Sequence, residues 1–159
     1  MLIFIVEDDV IYQEIVRNEL EQKKFNNVEV FSSGVDCVNN LYKMPDIILV
    51  DYNLDNTMDG IQLLKKIKVF NPNIQVLMLS AQEKLDVAIN SMKYGAYDYI
   101  IKNDVAMKRI GFMVDKINNL NQLLSENFQF KKNRNLLLAS IGIIATICIT
   151  LSLLFPRYF

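Results

Sequence analysis

The chain has 159 residues, 52% hydrophobic and 22% charged, with a formal net charge of −1, so a single domain of roughly 100–150 residues is the default. It has no histidine, and its cysteines, Cys37 and Cys148, lie 111 residues apart; this excludes histidine-based dyads and triads, a phosphohistidine on this chain, most zinc sites and any Cys-x-x-Cys motif. Residues 1–130 hold 18 acids and 13 bases, and a net-acidic front argues against nucleic acid as a partner.

Leu2 to Val6 is a short apolar run ending in Glu7-Asp8-Asp9. It predicts a buried strand and lacks the basic leader of a targeting segment. Val10, Ile11, Ile15, Val16 and Leu20 follow at helical spacing. Val28–Phe31 predicts a second strand after the turn-forming Asn26-Asn27. A helix then runs from about Ser33 to Tyr42, with Val35, Val38 and Leu41 on one face, and Met44-Pro45 breaks it. Ile47–Val50 predicts a third strand ending at Asp51. Ile61, Leu64, Ile67 and Phe70 predict a third helix, closed by Asn71-Pro72-Asn73. Ile74–Leu79 predicts a fourth strand ending at Ser80. Leu85, Ala88, Ile89 and Met92 mark a fourth helix, and Gly95 its stop. Tyr97–Ile101 predicts a fifth strand ending at Lys102, and a long helical pattern begins near Asp104. Asp9, Asp59 and Asp104 stand where helix N-caps are expected. Lys65, Lys66 and Lys68 read as the solvated side of the third helix.

Five strand–helix repeats imply an α/β fold with a parallel sheet, helices on both faces and right-handed crossovers. Ile47–Val50 and Ile74–Leu79 lack polar alternation, as strands covered on both sides do. In such sheets sites form at the C-terminal strand ends. Glu7, Asp8 and Asp9 follow strand 1, Asp51 ends strand 3, Ser80 ends strand 4 and Lys102 follows strand 5. Clustered carboxylates repel unless a cation sits among them, and oxygen ligands without His or Cys suggest Mg²⁺. One carboxylate could then attack a phosphoryl group, with the metal and a lysine neutralising its oxygens and a hydroxyl holding it.

In this order and spacing, Ile5-Val6-Glu7-Asp8-Asp9, Ile48-Leu49-Val50-Asp51-Tyr52-Asn53-Leu54, Met58-Asp59-Gly60, Met78-Leu79-Ser80-Ala81 and Gly95-Ala96-Tyr97-Asp98-Tyr99-Ile100-Ile101-Lys102 resemble the receiver domain of two-component response regulators over roughly residues 1–122. The resemblance implies a doubly wound, flavodoxin-like sheet of order 2-1-3-4-5. It implies Asp51 as phospho-acceptor, with Mg²⁺ held by Glu7, Asp8, Asp51 and the backbone carbonyl of Asn53. Ser80 matches the hydroxyl that contacts the phosphoryl group, Lys102 the lysine that pairs with it, and Tyr99 the aromatic switch, read out on the face of helix 4, strand 5 and helix 5. A histidine kinase or phosphotransfer protein would be the donor. The chain would then be no enzyme beyond its own phosphorylation and autodephosphorylation. Two departures stand out. Asn103 replaces the usual proline after Lys102, and a trans peptide is expected there. The loop Leu54–Gly60 is one residue longer than usual and lacks a proline. An aspartyl phosphatase is disfavoured, because Asn53 stands where that class has an aspartate.

Leu136 to Phe155 is a run of 20 residues without a charge, 15 of them apolar; at ~1.5 Å per residue it spans about 30 Å, a bilayer core. Ser140, Thr146, Thr150 and Ser152 can bond back to the helix. Lys131, Lys132 and Arg134 precede the run and Arg157 follows it, which places the receiver in the cytoplasm. The expected organisation is a receiver domain over 1–122, a helical basic linker over 123–135, a transmembrane helix over 136–155 and a tail over 156–159. Ile110, Met113, Ile117, Leu120 and Leu124 make under three heptads, so homodimerisation stays open. No output module is read after the receiver. The expectation is a membrane-anchored, single-pass, single-domain response regulator that switches a surface for an output partner. The alternatives are a phosphorylation-independent membrane interaction module and a phosphate sink.

Overall fold

The computed structural model describes residues 1–54, 58–81 and 85–154, without the side chains of 142, 145 and 148–154. The element order is β1 (Ile3–Val6), α1 (Val10–Gln22), β2 (Val28–Phe31), α2 (Gly34–Asn40), a 3₁₀ turn (Leu41–Lys43), β3 (Ile47–Asp51), α3 (Gly60–Phe70), β4 (Gln75–Ser80), α4 (Leu85–Lys93), β5 (Asp98–Ile101) and α5 (Ala106–Leu154). The strands form one parallel sheet in the order β2-β1-β3-β4-β5, as the resemblance implied. Strand order reverses between β1 and β3, and that junction is where a doubly wound sheet opens a crevice.

Strand alternation builds two cores. Phe4, Val6, Ile48, Val50, Val76 and Met78 pack with Leu63, Leu64 and Ile67 of α3. Ile3, Ile5, Ile47, Leu49, Leu77, Leu79 and Ile100 pack with Val16 and Leu20 of α1 and with Ala106, Ile110, Val114 and Ile117 of α5. Continuing this alternation by one step places Glu7, Asp51 and Lys102 on the α1/α5 side of the sheet's C-terminal rim. Ser80 and Tyr99 continue the other side.

Apolar periodicity located the helices but not always their buried faces. Leu85, Ile89 and Met92 of α4 are exposed, and Val87 and Ser91 are buried instead. The Ser91 hydroxyl donates to the Val87 carbonyl at 2.7 Å, so the helix itself satisfies it. In α1, Val10, Ile11 and Ile15 are exposed, whereas Gln13, Val16 and Leu20 face inward. Asp9 caps α1 and Asp59 caps α3, as expected. Asp104 does not cap α5. The Asn103 side chain accepts from Val105 N at 3.2 Å, the Asn103 carbonyl accepts from Ala106 N at 2.9 Å, and the helix starts two residues later than its sequence pattern. The described residues contain no cis peptide.

Residues Met1–Ile117 form one compact unit and Asn118–Phe159 a second. Ile117 is the last buried residue among the described ones. The run expected to span a membrane is helical as far as Leu154. The transmembrane assignment is not shown: among the described residues no helix is long and apolar enough to cross a membrane. Of that run only 136–141, 143, 144, 146 and 147 have described side chains. Phe155 and the tail 156–159 lie outside the described residues, as do 55–57 of the lengthened loop after Asp51.

Candidate functional site

Asp51 ends β3 on the middle strand, only 4% exposed. β1 ends next to it, and the chain beyond delivers Glu7, 1% exposed, and Asp8, which is exposed. Each of the three carboxylates offers an oxygen, and these oxygens lie within 4.8 Å of one another. Lys102, just past β5, reaches across the rim. Its Nζ lies 2.6 Å from Glu7 Oε2 and 3.1 Å from Asp51 Oδ2. The Lys102 backbone N–H donates to the Ser80 carbonyl at 2.7 Å, which ties the lysine to the end of β4. Asp51 Oδ1 is buried and has no hydrogen-bond partner.

That orphaned oxygen tests the metal expectation. A buried anionic oxygen without a donor is costly, and two more carboxylates stand beside it. All the donors are hard oxygens, and no histidine or thiol competes. The residues present therefore fit a divalent cation such as Mg²⁺.

Burial and the Asp51 charge push the Glu7 carboxyl up to about 7, and its bond to Lys102 only partly offsets them. A carboxyl that holds its proton more tightly when folded than when unfolded stabilises the fold below its unfolded value near 4.5. It loses that stabilisation as pH rises through about 7. Metal-free protein is therefore expected to lose on the order of 2 kcal/mol from this group between about pH 5 and about pH 7.5. Urea unfolding of wild type against Glu7→Gln measures it: the amide mimics the protonated carboxyl at every pH, so the two should be alike near pH 5 and wild type should fall below the variant as pH rises. A difference that is flat with pH would show that Glu7 is not the source.

The structure brings Glu7, Asp8, Asp51 and Lys102 together. Ser80 is 1% exposed at the end of β4, in register with Ile101. Asn53 is exposed two residues past β3. Tyr99 lies on β5, partly buried against the α3-side core. Two neighbours of the site escaped the sequence reading. Gln13 is buried, and its Nε2 donates to the Glu7 carbonyl and to Ser32 Oγ. Its signal was a polar residue on the stripe that continues to Val16 and Leu20. Tyr12 places its ring centroid 4.4 Å from Lys102 Nζ, and nothing in the local sequence marks it.

The sheet order and the acidic rim define a doubly wound α/β domain with a cation-ready carboxylate site at its switch point. Residues 3–115 match the family model of the response regulator receiver domain, and the chain belongs to that family. It is 36% identical over 101 residues to the transcriptional regulatory protein ZraR of Klebsiella oxytoca, which covers 63% of this chain and 22% of ZraR. The chain thus spans about a fifth of the length of that relative. Among solved structures, a response regulator from Chloroflexus aurantiacus J-10-fl superposes with TM-score 0.66 at 27% identity, covering 73% of this chain and 95% of that one. The BeF3-activated DrrB receiver domain superposes with TM-score 0.67 at 22% identity, covering 75% and 99%; at that identity the likeness speaks to the fold.

Proposed function

We propose that the chain is a phospho-accepting switch: Asp51 takes a phosphoryl group in a Mg²⁺-dependent reaction, and the change alters a surface for a protein partner. The observation that carries this is the buried, unpartnered Asp51 Oδ1 in a cluster with the Glu7 and Asp8 carboxylates, while Lys102 pairs with the other Asp51 oxygen. The Asp51 carboxylate attacks phosphorus, the bond from phosphorus to the donor breaks, and the donor leaves with the electron pair. Lys102 holds the second Asp51 oxygen, fixes the attacking geometry and then pairs with phosphoryl charge. Glu7, Asp8, Asp51 and the Asn53 carbonyl would hold the cation, which supplies charge neutralisation on the transferring oxygens. Ser80 and Tyr99, on the opposite face of the rim, would contact the phosphoryl group and relay its arrival. The exposed α4 stripe Leu85, Ile89 and Met92 supports a partner surface on the face of α4, β5 and α5. A histidine kinase or phosphotransfer protein would be the donor. Incubation with acetyl phosphate and Mg²⁺, read by intact mass, should add one phosphoryl group to the wild type. No adduct would favour a phosphorylation-independent module. An adduct lost within seconds that recruits no partner would favour a phosphate sink.

A membrane location is the second part of the reading. It rests on the uncharged sequence 136–155 and the bases at 131, 132 and 134 on its N-terminal flank. The receiver would face the cytoplasm, and tethering would raise its local concentration near membrane-bound donors. Expressed whole, the chain should sediment with membranes and resist alkaline carbonate, whereas residues 1–130 should not. Release of the whole chain by carbonate would remove the tether.

A further inference from the structure

We propose that Tyr12 is a positioning residue for phosphoryl transfer, its ring face serving as the pivot on which the Lys102 ammonium turns from Glu7 toward the phosphoryl group. This rests on the reading of Asp51 as phospho-acceptor.

Lys102 ends in a flexible stem, and its side chain is 14% exposed. Two carboxylates hold the ammonium, Glu7 at 2.6 Å and Asp51 at 3.1 Å. The Tyr12 ring, centroid 4.4 Å away, supplies a third contact. The two kinds of contact respond differently to phosphorylation. Asp51 loses its charge when it becomes an acyl phosphate, and a cation would draw off the Glu7 carboxylate. Both hydrogen-bonded partners of Lys102 are then spent, while the ring remains. Attraction between an ammonium and an aromatic face tolerates rotation of the ammonium, which a hydrogen bond does not. Lys102 can thus re-aim its protons while staying over the site.

The backbone that carries the ring is fixed. Asp9 Oδ1 accepts from Ile11 N at 2.8 Å and from Tyr12 N at 3.3 Å. The next residue, Gln13, grips the Glu7 carbonyl and Ser32. The first turn of α1 is therefore tied to the end of β1, which holds the Tyr12 backbone in place beside Lys102. The Tyr12 hydroxyl is buried without a hydrogen-bond partner, so the ring face is the part that acts.

The test measures the rate of phosphoryl uptake from acetyl phosphate with Mg²⁺ in the full chain. Tyr12→Phe should stay within about twofold of wild type, while Tyr12→Leu should slow uptake roughly three- to thirtyfold. Tyr12→Met, which fills similar space without a ring face, should match Tyr12→Leu and reads the same effect if the leucine variant unfolds. In a Lys102→Gln background the Tyr12→Leu change should add less than about twofold. The proposal is overturned if Tyr12→Leu and Tyr12→Met match wild type, if Tyr12→Phe is as slow as they are, or if the loss persists in full without Lys102. A wild-type chain that takes no phosphoryl group overturns the reading of Asp51 itself, and the pivot with it.

Discussion

Replacing Asp51 with asparagine should abolish phosphoryl uptake, with a loss on the order of 10³-fold or more, because among the described residues no other group at the rim offers a buried carboxylate oxygen without a hydrogen-bond partner. An amide has nearly the same shape, so the fold should survive. Its oxygen is a poor nucleophile and carries no charge for a cation. The substitution also removes a negative charge that raises the Glu7 pKa. The Glu7 titration, followed by NMR, should therefore move down from about 7. The two readouts are independent. Phosphoryl adduct on the Asp51→Asn chain would place the nucleophile elsewhere. An unmoved Glu7 titration would mean that the two carboxylates do not feel each other across the rim.

Gly60→Ala should destabilise the domain by about 2–4 kcal/mol. A Cβ at residue 60 would lie 2.4 Å from the Asp51 carbonyl oxygen and 2.8 Å from Tyr52 Cα. Both are main-chain atoms at the end of a central strand and cannot yield as a side-chain tip does. Gly60 N also donates to the Tyr52 carbonyl at 3.0 Å, which ties the start of α3 to the end of β3. Relief of the clash has to move the segment that carries Asp51, so phosphoryl uptake should fall along with stability. Gly111 is the control. A Cβ there meets only the far ends of Lys23 and Glu19, and alanine inside a helix gains up to about 1 kcal/mol over glycine. Urea unfolding of both variants settles the comparison. Equal stability of Gly60→Ala and wild type would mean that the main chain at Asp51 and Tyr52 yields without cost.

Much of this was legible in the amino-acid sequence. The apolar runs at 2–6, 47–50 and 74–79 and the helical spacings between them dictated a parallel α/β sheet, because a strand covered on both faces has no room for polar alternation. The site was legible for a related reason: Glu7, Asp51 and Lys102 follow apolar strands at the one edge where a parallel sheet leaves strand ends open. The sequence did not reveal which way α1 and α4 turn. Gln13 and Ser91 sit in the core because their polar atoms find partners in Glu7, Ser32 and Val87, and hydropathy cannot anticipate such satisfaction.

Tertiary structure alone decided that one lysine spans two carboxylates while a tyrosine 90 residues earlier supports its ammonium. Residue type and strand position are local properties, carried by the chain at every point. Whether an oxygen stays unpaired or a ring lies against a charge depends on distances across β1, β3, β5 and α1, and only packing fixes those.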